Sequence, residues 1–254
     1  MIDAWRLAVG TLTAVPIRPP ARITPRVAGG AMLLAPVAAL PLALLIAGGW
    51  AALRWLAMPP LLVAALVLVG LTLATRGLHL DGLADTCDGL AASYDRSRAL
   101  AVMRTGDVGP AGLAAVVLVL LVQAAALSEL LTTAPGAALA GAAVVTSRHT
   151  LAWCCRVGVP AARPEGLGAT VAGTVAPRYA VGSTLVLAAL AGAAIQPLGM
   201  PWWAGPVAVV VGILAALTIV DRARRRLGGV TGDILGASVE LSLTAALVAA
   251  TVLH

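Results

Sequence analysis

The chain has 254 residues, of which 60% are hydrophobic and only 11% are charged, and its mean hydropathy is +0.98. A soluble globular domain carries roughly 25% charged residues, so this chain has too few polar side chains to cover a water-exposed surface. The composition excludes a soluble fold and predicts an all-α, polytopic integral membrane protein. A transmembrane β-barrel would show alternating segments of about 10 residues, and the sequence contains none.

Arginine supplies all of the positive charge, because the sequence contains no lysine, and the net charge is +6. In a membrane protein such arginines mark the cytoplasmic side and interact with lipid headgroups, so we do not expect nucleic-acid binding. The three cysteines, Cys87, Cys154 and Cys155, lack the C-x-x-C spacing of zinc and redox sites. Residues 1–30 lack the clean apolar region of a cleavable signal peptide.

The chain begins with an amphipathic pattern. Residues 1–13 carry apolar side chains at helical spacing and include Trp5, which is typical of a helix on the inner leaflet with Trp at the headgroups. We expect residues 1–30 to form an interfacial N-terminal segment of a single membrane domain that spans residues 1–254.

Apolar segments recur along the rest of the chain. A helix across a bilayer core needs about 20 such residues, and no internal repeat is visible. We predict seven transmembrane helices, near residues 31–50, 59–75, 110–130, 135–155, 181–197, 204–220 and 233–253.

The arginines alternate between the connections. Sixteen of the 17 lie in the N-terminal segment or near residues 76–109, 148–178 and 222–226, whereas the connections near 131–135 and 198–203 have none. Positive charge resists translocation, so the arginine-rich side is cytoplasmic. With seven helices, the N-terminus is cytoplasmic and the C-terminus is external.

An acidic run, RGLHLDGLADTCDGL, begins the cytoplasmic connection 76–109 of this charge-poor chain. On a helix over residues 78–92, three carboxylates share one stripe, and two glycines that let a ligand approach flank it. The carboxylates repel each other, and Mg²⁺ typically binds one or two carboxylates together with substrate phosphates. The pattern therefore predicts a Mg²⁺–phosphate platform built from Asp81, Asp85 and Asp88, with Gly82 and Gly89 beside them.

A second acidic element, LGGVTGDILGASVE, occupies residues 227–240. Asp233 and Glu240 are seven residues apart and therefore share a helix face. Thr231 is a candidate cap for this helix, and Gly232 follows it in a glycine-rich turn. An unpaired Glu240 is costly in lipid, so we expect it to face the bundle interior and meet a cation, a water, a substrate or a structural arginine. We predict Asp233 and Glu240 as the other half of the metal site.

Three basic regions are candidates for binding substrate phosphates. Arg148 lies inside the fourth apolar segment, where it would bind a phosphate oxygen or form a structural salt bridge. Arg104 belongs to a glycine-rich loop, VMRTGDVGPAG, whose signal is weak on its own. Arg222, like residues 224–226, is an anchor at the cytoplasmic surface or, alternatively, faces the substrate.

His79 lies almost opposite the aspartate stripe on the same predicted helix. This position favours a packing or supporting role over direct metal binding. A role as general base stays open, because histidine is the most frequent proton acceptor in enzymes.

The motifs resemble those of a known family. GLHLDGLADTCDGL resembles the signature of the cobalamin synthase (adenosylcobinamide-GDP ribazoletransferase) family, and MRTGDVGPAG, SRHT, EGLG and GGVTGDILGASVE are similar to its other motifs, in the same order. The N-terminal LTAVPIRPP is similar to the family's opening, so the resemblance spans the whole chain. It implies a Mg²⁺-dependent transferase of the bacterial inner membrane. That enzyme joins adenosylcobinamide-GDP to α-ribazole, or its 5′-phosphate, and releases GMP.

The resemblance also implies which residues form the site. Many members carry an aspartate directly after the basic residue of the M-[KR] segment, whereas this chain has Thr105 there and Asp107 as the nearest acid. The role of residues 102–112 is therefore open. The family's two acidic motifs fall on Asp81, Asp85, Asp88, Asp233 and Glu240.

Two other classes of membrane protein compete with this interpretation. A CDP-alcohol phosphotransferase has a D-x₂-D-G-x₂-A-R pattern with two further aspartates downstream, whereas the spacing here is D-x₃-D-x₂-D-G without such a pair. A secondary transporter with Glu240 or Arg148 in its path would show acids near mid-membrane in several helices, and often a repeat. The acids here gather at one surface instead.

Overall fold

The computed structural model describes residues 1–254 and contains twelve α-helices, one 3₁₀ helix and no strand. This confirms the predicted all-α fold. The α-helices are α1 Ile2–Leu12, α2 Pro25–Ala38, α3 Leu40–Leu56, α4 Pro60–Ala74, α5 Leu78–Ala92, α6 Arg96–Val102, α7 Pro110–Leu130, α8 Ala134–Cys154, α9 Gly166–Val171, α10 Pro177–Ile195, α11 Ala204–Leu227 and α12 Gly232–Leu253, and the 3₁₀ helix is Gln196–Leu198.

The structure confirms a multi-pass membrane protein but not the count of seven spans. Helices α4 and α5 are apolar enough only as a pair, which is bent by 89°. Helix α8 covers a predicted span but carries the polar run Thr146–Thr150, which the rest of the bundle buries. Five stretches are long and apolar enough to cross a membrane: Pro25–Leu56, Pro110–Leu130, Pro177–Leu198, Ala204–Leu227 and Gly232–Leu253.

The N-terminal helix α1 lies where the amphipathic pattern predicts a helix. It packs against α2 through its buried residues, which include Val9 and Leu12, while Ile2 and Trp5 are exposed. Part of its apolar stripe therefore faces the protein rather than lipid, because α2 covers that side.

The bend between α4 and α5 sets the direction of the acidic helix. Arg76 and Gly77 both adopt left-handed backbone angles, with φ of 57° and 68°, a conformation that costs little only for glycine. The Arg76 guanidinium donates to the Gly10 carbonyl at 2.8 Å, and the Ala14 N–H donates to the Ala74 carbonyl at 2.6 Å. The end of α1 thus holds the bend, and α5 does not continue the direction of α4.

Helix α5 has the predicted bounds and crosses α12 in close backbone contact. A Cβ atom added at Gly82 would lie 2.7 Å from the Asp233 carbonyl oxygen, and one added at Gly236 would lie 3.2 Å from the His79 carbonyl oxygen. Close helix contacts of this kind need small residues. The crossing places Asp81 and Asp233 side by side, although they are far apart in the sequence.

The predicted role of the two glycines of α5 needs correction. Gly82 lines a pocket, but the absence of its side chain mainly permits the contact with α12. Gly89 faces α6, because a Cβ there would collide with Met103 and lie 3.0 Å from the Ala99 carbonyl oxygen. Gly89 therefore serves helix packing and leaves no space for a ligand.

The crossing predicts opposite effects of alanine at two helical glycines. Gly82→Ala should lower thermal stability in detergent, since overpacking against backbone costs about 1–3 kcal/mol. Gly48→Ala on α3 is the matched control, because a Cβ there meets no atom within 4 Å. It should be neutral or stabilising by up to about 1 kcal/mol. Equal stabilisation of both variants would contradict a tight crossing.

Candidate functional site

The principal cavity, here called the main pocket, has a volume of about 270 Å³ and is lined by α1, α2, α5, α8, the 163–168 segment and the start of α12. Its inner end, the floor, is apolar and buried. Its outer end, the rim, carries Asp81 and Glu165, which are exposed. The floor is formed by Leu12, Met32, Leu151 and Leu235.

Asp233 lies between floor and rim, where two groups hold its carboxylate. The Thr231 hydroxyl donates to it at 3.1 Å, and the Arg163 guanidinium is 3.8 Å away. Thr231 also accepts the Ile234 N–H at 3.3 Å, which confirms its predicted role as the cap of α12. Thr231 and Gly232 both line the main pocket.

Arg163 is the site residue that the sequence reasoning missed. It lies in a loop whose Ala162 N–H donates to the Val230 carbonyl, while the Val230 N–H donates to the Pro160 carbonyl, both at 2.9 Å. Its own guanidinium also donates to the Leu100 carbonyl at 2.7 Å. No periodic pattern signals such a contact between irregular segments, and Arg163 looked like one more cytoplasmic arginine.

At the rim, Arg104 forms an ion pair with Glu165 at 3.2 Å. This contact joins the two glycine-rich loops on the predicted cytoplasmic side. Both side chains are more than half exposed, so the pair is weak, about 0–1 kcal/mol. Arg104 does not line the main pocket itself and meets it only through Glu165.

Asp85 carries the least compensated charge of the α5 stripe. Burial raises its pKa from 3.8 to about 6, and the carboxylates of Asp81, Asp233 and Asp88 add to the rise, against a smaller opposing effect of Arg163. The predicted stripe is thus a site of mutual repulsion. Such a site fits a cation.

The donor set fits Mg²⁺ bound together with a substrate. No three His, Cys, Asp or Glu side chains are arranged as a complete metal cage. Mg²⁺ does not require one, because it commonly takes one or two carboxylates, waters and substrate phosphate oxygens. Asp81 and Asp85 offer such carboxylates on neighbouring turns of α5.

Asp88, predicted as a metal ligand, is placed differently. Its two carboxylate oxygens accept the Gly109 N–H at 2.7 Å and the Gly112 N–H at 2.8 Å. The side chain is 8% exposed and caps the start of α7, where orphan amides and the helix dipole favour an anion. In this structure Asp88 holds the 103–109 loop against α7, and its role as a metal ligand stays a prediction.

Glu240 faces the bundle interior as predicted, but it does not join Asp233. Its carboxylate accepts the Gln123 side-chain amide at 2.9 Å, and it lines a separate cavity of about 20 Å³ with Arg148. Seven residues of helix separate Glu240 from Asp233, and that is about 10 Å of rise. Asp233 and Glu240 share a face of α12, as predicted. Their separation along the helix places them in different cavities, so they do not form a common metal site.

Arg148 is 2% exposed and donates to the Ser147 hydroxyl at 2.8 Å. Because it lines the small cavity with Glu240 rather than the main pocket, the structure does not place it beside a substrate phosphate. Arg222 is exposed on α11 and does not line the main pocket either. The exposed position of Arg222 agrees with its interpretation as an anchor at the cytoplasmic surface rather than as a residue that faces the substrate.

His79 lines the main pocket and is 3% exposed. Burial, with a further contribution from the charge of Arg148, holds its pKa well below 6.5, so the imidazole is neutral at physiological pH. Neither ring nitrogen has a hydrogen-bond partner in the protein. His79 therefore belongs to the buried part of the pocket, away from the exposed rim.

Comparisons with known proteins show what the whole chain is similar to. A family model described as cobalamin-5-phosphate synthase matches residues 4–251. A Nocardioides protein named adenosylcobinamide-GDP ribazoletransferase is 51% identical over 249 residues, which cover 98% of each chain. A protein of the same name from Frankia casuarinae is 41% identical over 97% of this chain and 93% of its own. No solved structure matches.

The repulsion at Asp85 predicts that its charge destabilises the metal-free protein. A carboxyl whose pKa is raised by folding loses stability as the pH rises from 3.8 to about 6. Asp85→Asn should therefore melt at a higher temperature than the wild type at pH 7.5 with a chelator, and the difference should vanish near pH 4. Equal melting temperatures at pH 7.5 would contradict the repulsion.

The cap of α7 predicts the opposite sign for Asp88→Asn. An amide in place of the carboxylate leaves one of two buried N–H groups without an acceptor, which costs about 1–3 kcal/mol. The variant should melt at a lower temperature, and amide exchange at Gly109 and Gly112 should accelerate. Asp85→Asn, one turn away, is the matched control.

Proposed function

The chain belongs to the cobalamin-5-phosphate synthase family, and on that basis we propose that it joins adenosylcobinamide-GDP to α-ribazole, or its 5′-phosphate, with release of GMP. The family match sets aside the CDP-alcohol phosphotransferase and transporter hypotheses. The observation that supports this activity best is the uncompensated Asp85 carboxylate, one helical turn from Asp81, which lies at the rim of a pocket whose inner end is apolar.

The reaction breaks the phosphoanhydride bond of the diphosphate and forms a phosphate ester bond. A hydroxyl oxygen of the ribazole ribose forms a bond to the phosphorus attached to the cobinamide. The bond from that phosphorus to the bridging oxygen breaks, and GMP leaves with this oxygen. A carboxylate of the rim accepts the proton of the hydroxyl, because His79 lies in the buried part of the pocket.

The charges of the diphosphate are matched by groups on this chain. Asp81 and Asp85, with Asp233 nearby, are the carboxylates available to Mg²⁺, which when bound neutralises phosphate oxygens and stabilises the transition state. Arg163 lines the pocket, and Arg104 lies just outside it, paired with Glu165 of the rim; both can bind further phosphate oxygens. Positioning and charge neutralisation provide most of the catalysis in such transfers.

A cytoplasmic-facing site in a bacterial inner membrane suits these features. The pocket opens beside the arginine-rich connections, which favour the cytoplasmic side. Helix α12 begins at the pocket and has 22 residues, or about 33 Å of rise. Its terminal His254 contacts Thr133 in the arginine-free α7–α8 connection. This arrangement supports an external C-terminus and a lipid bilayer around the apolar helices.

Loss of one rim carboxylate tests the proposed activity. Asp81→Asn should lower kcat for GMP release by at least about 100-fold, since removing one electrostatic group from an active site commonly costs that much. A chelator should stop the wild-type enzyme, and Mg²⁺ should restore it. Purified protein is assayed with both substrates.

Glu129→Gln is the matched control, because this acid is exposed on α7 far along the helix from its cytoplasmic start. It should release GMP at the wild-type rate. If Asp81→Asn folds and is as fast as the wild type, the rim carboxylates do not carry the reaction.

A further inference from the structure

We propose that the floor of the main pocket binds the base of the acceptor nucleoside, while the diphosphate and the corrinoid of the donor stay outside it. This inference rests on the proposed function, because that function provides a nucleoside acceptor. It adds the assignment of one cavity to one of the two substrates.

The size of the pocket is the first argument. Small-molecule sites usually measure about 300–1,000 Å³, and the main pocket, at about 270 Å³, lies just below that range. A cavity of this size accommodates a ligand of nucleoside size. A corrinoid is several times larger and cannot enter.

The polarity of the pocket is the second argument. The side chains of the floor are 2–5% exposed and all apolar: Leu12, Met32, Leu151 and Leu235. The base of ribazole is a benzimidazole with two methyl groups, so it presents flat apolar faces to such a floor. Guanine carries donors and acceptors along its edge, and burying them without partners is costly. The floor therefore favours the acceptor base over the guanine of the donor.

The few buried polar groups are the third argument. The Thr231 hydroxyl is already engaged by Asp233 and the Ile234 N–H. His79 has two ring nitrogens without partners, although buried polar groups are nearly always paired. A benzimidazole nucleoside has one free ring nitrogen, which is an acceptor for an imidazole N–H. Both nitrogens are enclosed by the protein, so this hydrogen bond forms when the His79 side chain turns toward the cavity that it lines.

The direction of the pocket is the fourth argument. With the base on the floor, the ribose of the acceptor extends toward the rim, where Asp81 and Asp233 lie. Its hydroxyl then meets the carboxylates that take up its proton. The diphosphate approaches from outside, along the α5 stripe toward Asp85. The corrinoid remains at the membrane surface, so neither substrate blocks the other.

Gly232 provides the test. It is the first residue of α12 and lines the pocket, and a Cβ there meets only Leu167, at 3.5 and 3.9 Å. Side chains at this position therefore fill the cavity without displacing backbone. Gly232→Leu should raise the KM for α-ribazole by at least about 10-fold, as expected for steric loss in an apolar pocket. The KM for adenosylcobinamide-GDP should stay within about twofold.

Gly182→Leu on α10 is the matched control, because a Cβ there meets no atom within 4 Å, and it should change neither KM. A rise in the KM of the donor alone would assign the pocket to the nucleotide and overturn the proposal. Unchanged KM values for both substrates would overturn it as well. If Gly232→Leu does not fold, Gly232→Val and Leu167→Phe, which fill the same cavity, decide in its place.

Direct binding separates this inference from the proposed function. Equilibrium dialysis of α-ribazole alone should show binding to the wild type and at least about 10-fold weaker binding to Gly232→Leu. If the wild type fails to release GMP but binds α-ribazole in this way, the proposed function fails and the pocket assignment stands. If GMP is released but Gly232→Leu binds α-ribazole as the wild type does, only the assignment fails.

Discussion

The close backbone contact between α5 and α12 is the constraint on which the site depends. Lipid is as apolar as the helix surfaces, so helices in a membrane associate through tight packing rather than through the hydrophobic effect. At Gly82 the α5 backbone lies so near the Asp233 carbonyl that no side chain fits between them. The contact fixes the distance between the two helices, and it places Asp81 beside Asp233. A pocket rim with carboxylates from both helices is the direct consequence.

Three of the four carboxylates near this crossing are compensated, each in a different way. Asp88 accepts two backbone N–H groups at the start of α7, and Asp233 lies beside Arg163. Asp81 is exposed to water. Asp85 is partly buried, and this burial, together with the neighbouring carboxylates, raises its pKa to about 6. The uncompensated negative charge therefore lies at Asp85, between Asp81 at the rim and Asp88 beside the 103–109 loop. A cation bound there together with a diphosphate would balance this charge.

Helical periodicity explains which parts of this arrangement could be predicted from the sequence. It fixed the directions of side chains along one helix, so the bounds of α5, its aspartate stripe and the Thr231 cap were predictable. Periodicity gives no information on which residues of another helix or loop contact that stripe. The hydrogen-bond partners of Asp88 and the tight packing of Gly89 were therefore not predictable. The role of Arg163 was not predictable for the same reason, because backbone hydrogen bonds between its loop and Val230 position it. The predicted span at α8 is not confirmed, because α8 carries a polar run that the surrounding protein buries.

Glu240 shows why depth along a helix matters as much as its face. It lies about 10 Å below Asp233, where water no longer competes and an unpaired carboxylate would be costly. Gln123 supplies a donor from α7, and Arg148 of α8 lines the same small cavity. A hydrogen-bonded polar group in a buried position is compatible with few packings. It specifies which face of α12 meets α7 and α8, and so orients the same helix whose first turn crosses α5. Helix α12 therefore carries both features. The proposed site lies at its exposed first turn, and the buried polar group that specifies its packing lies deeper in the bundle.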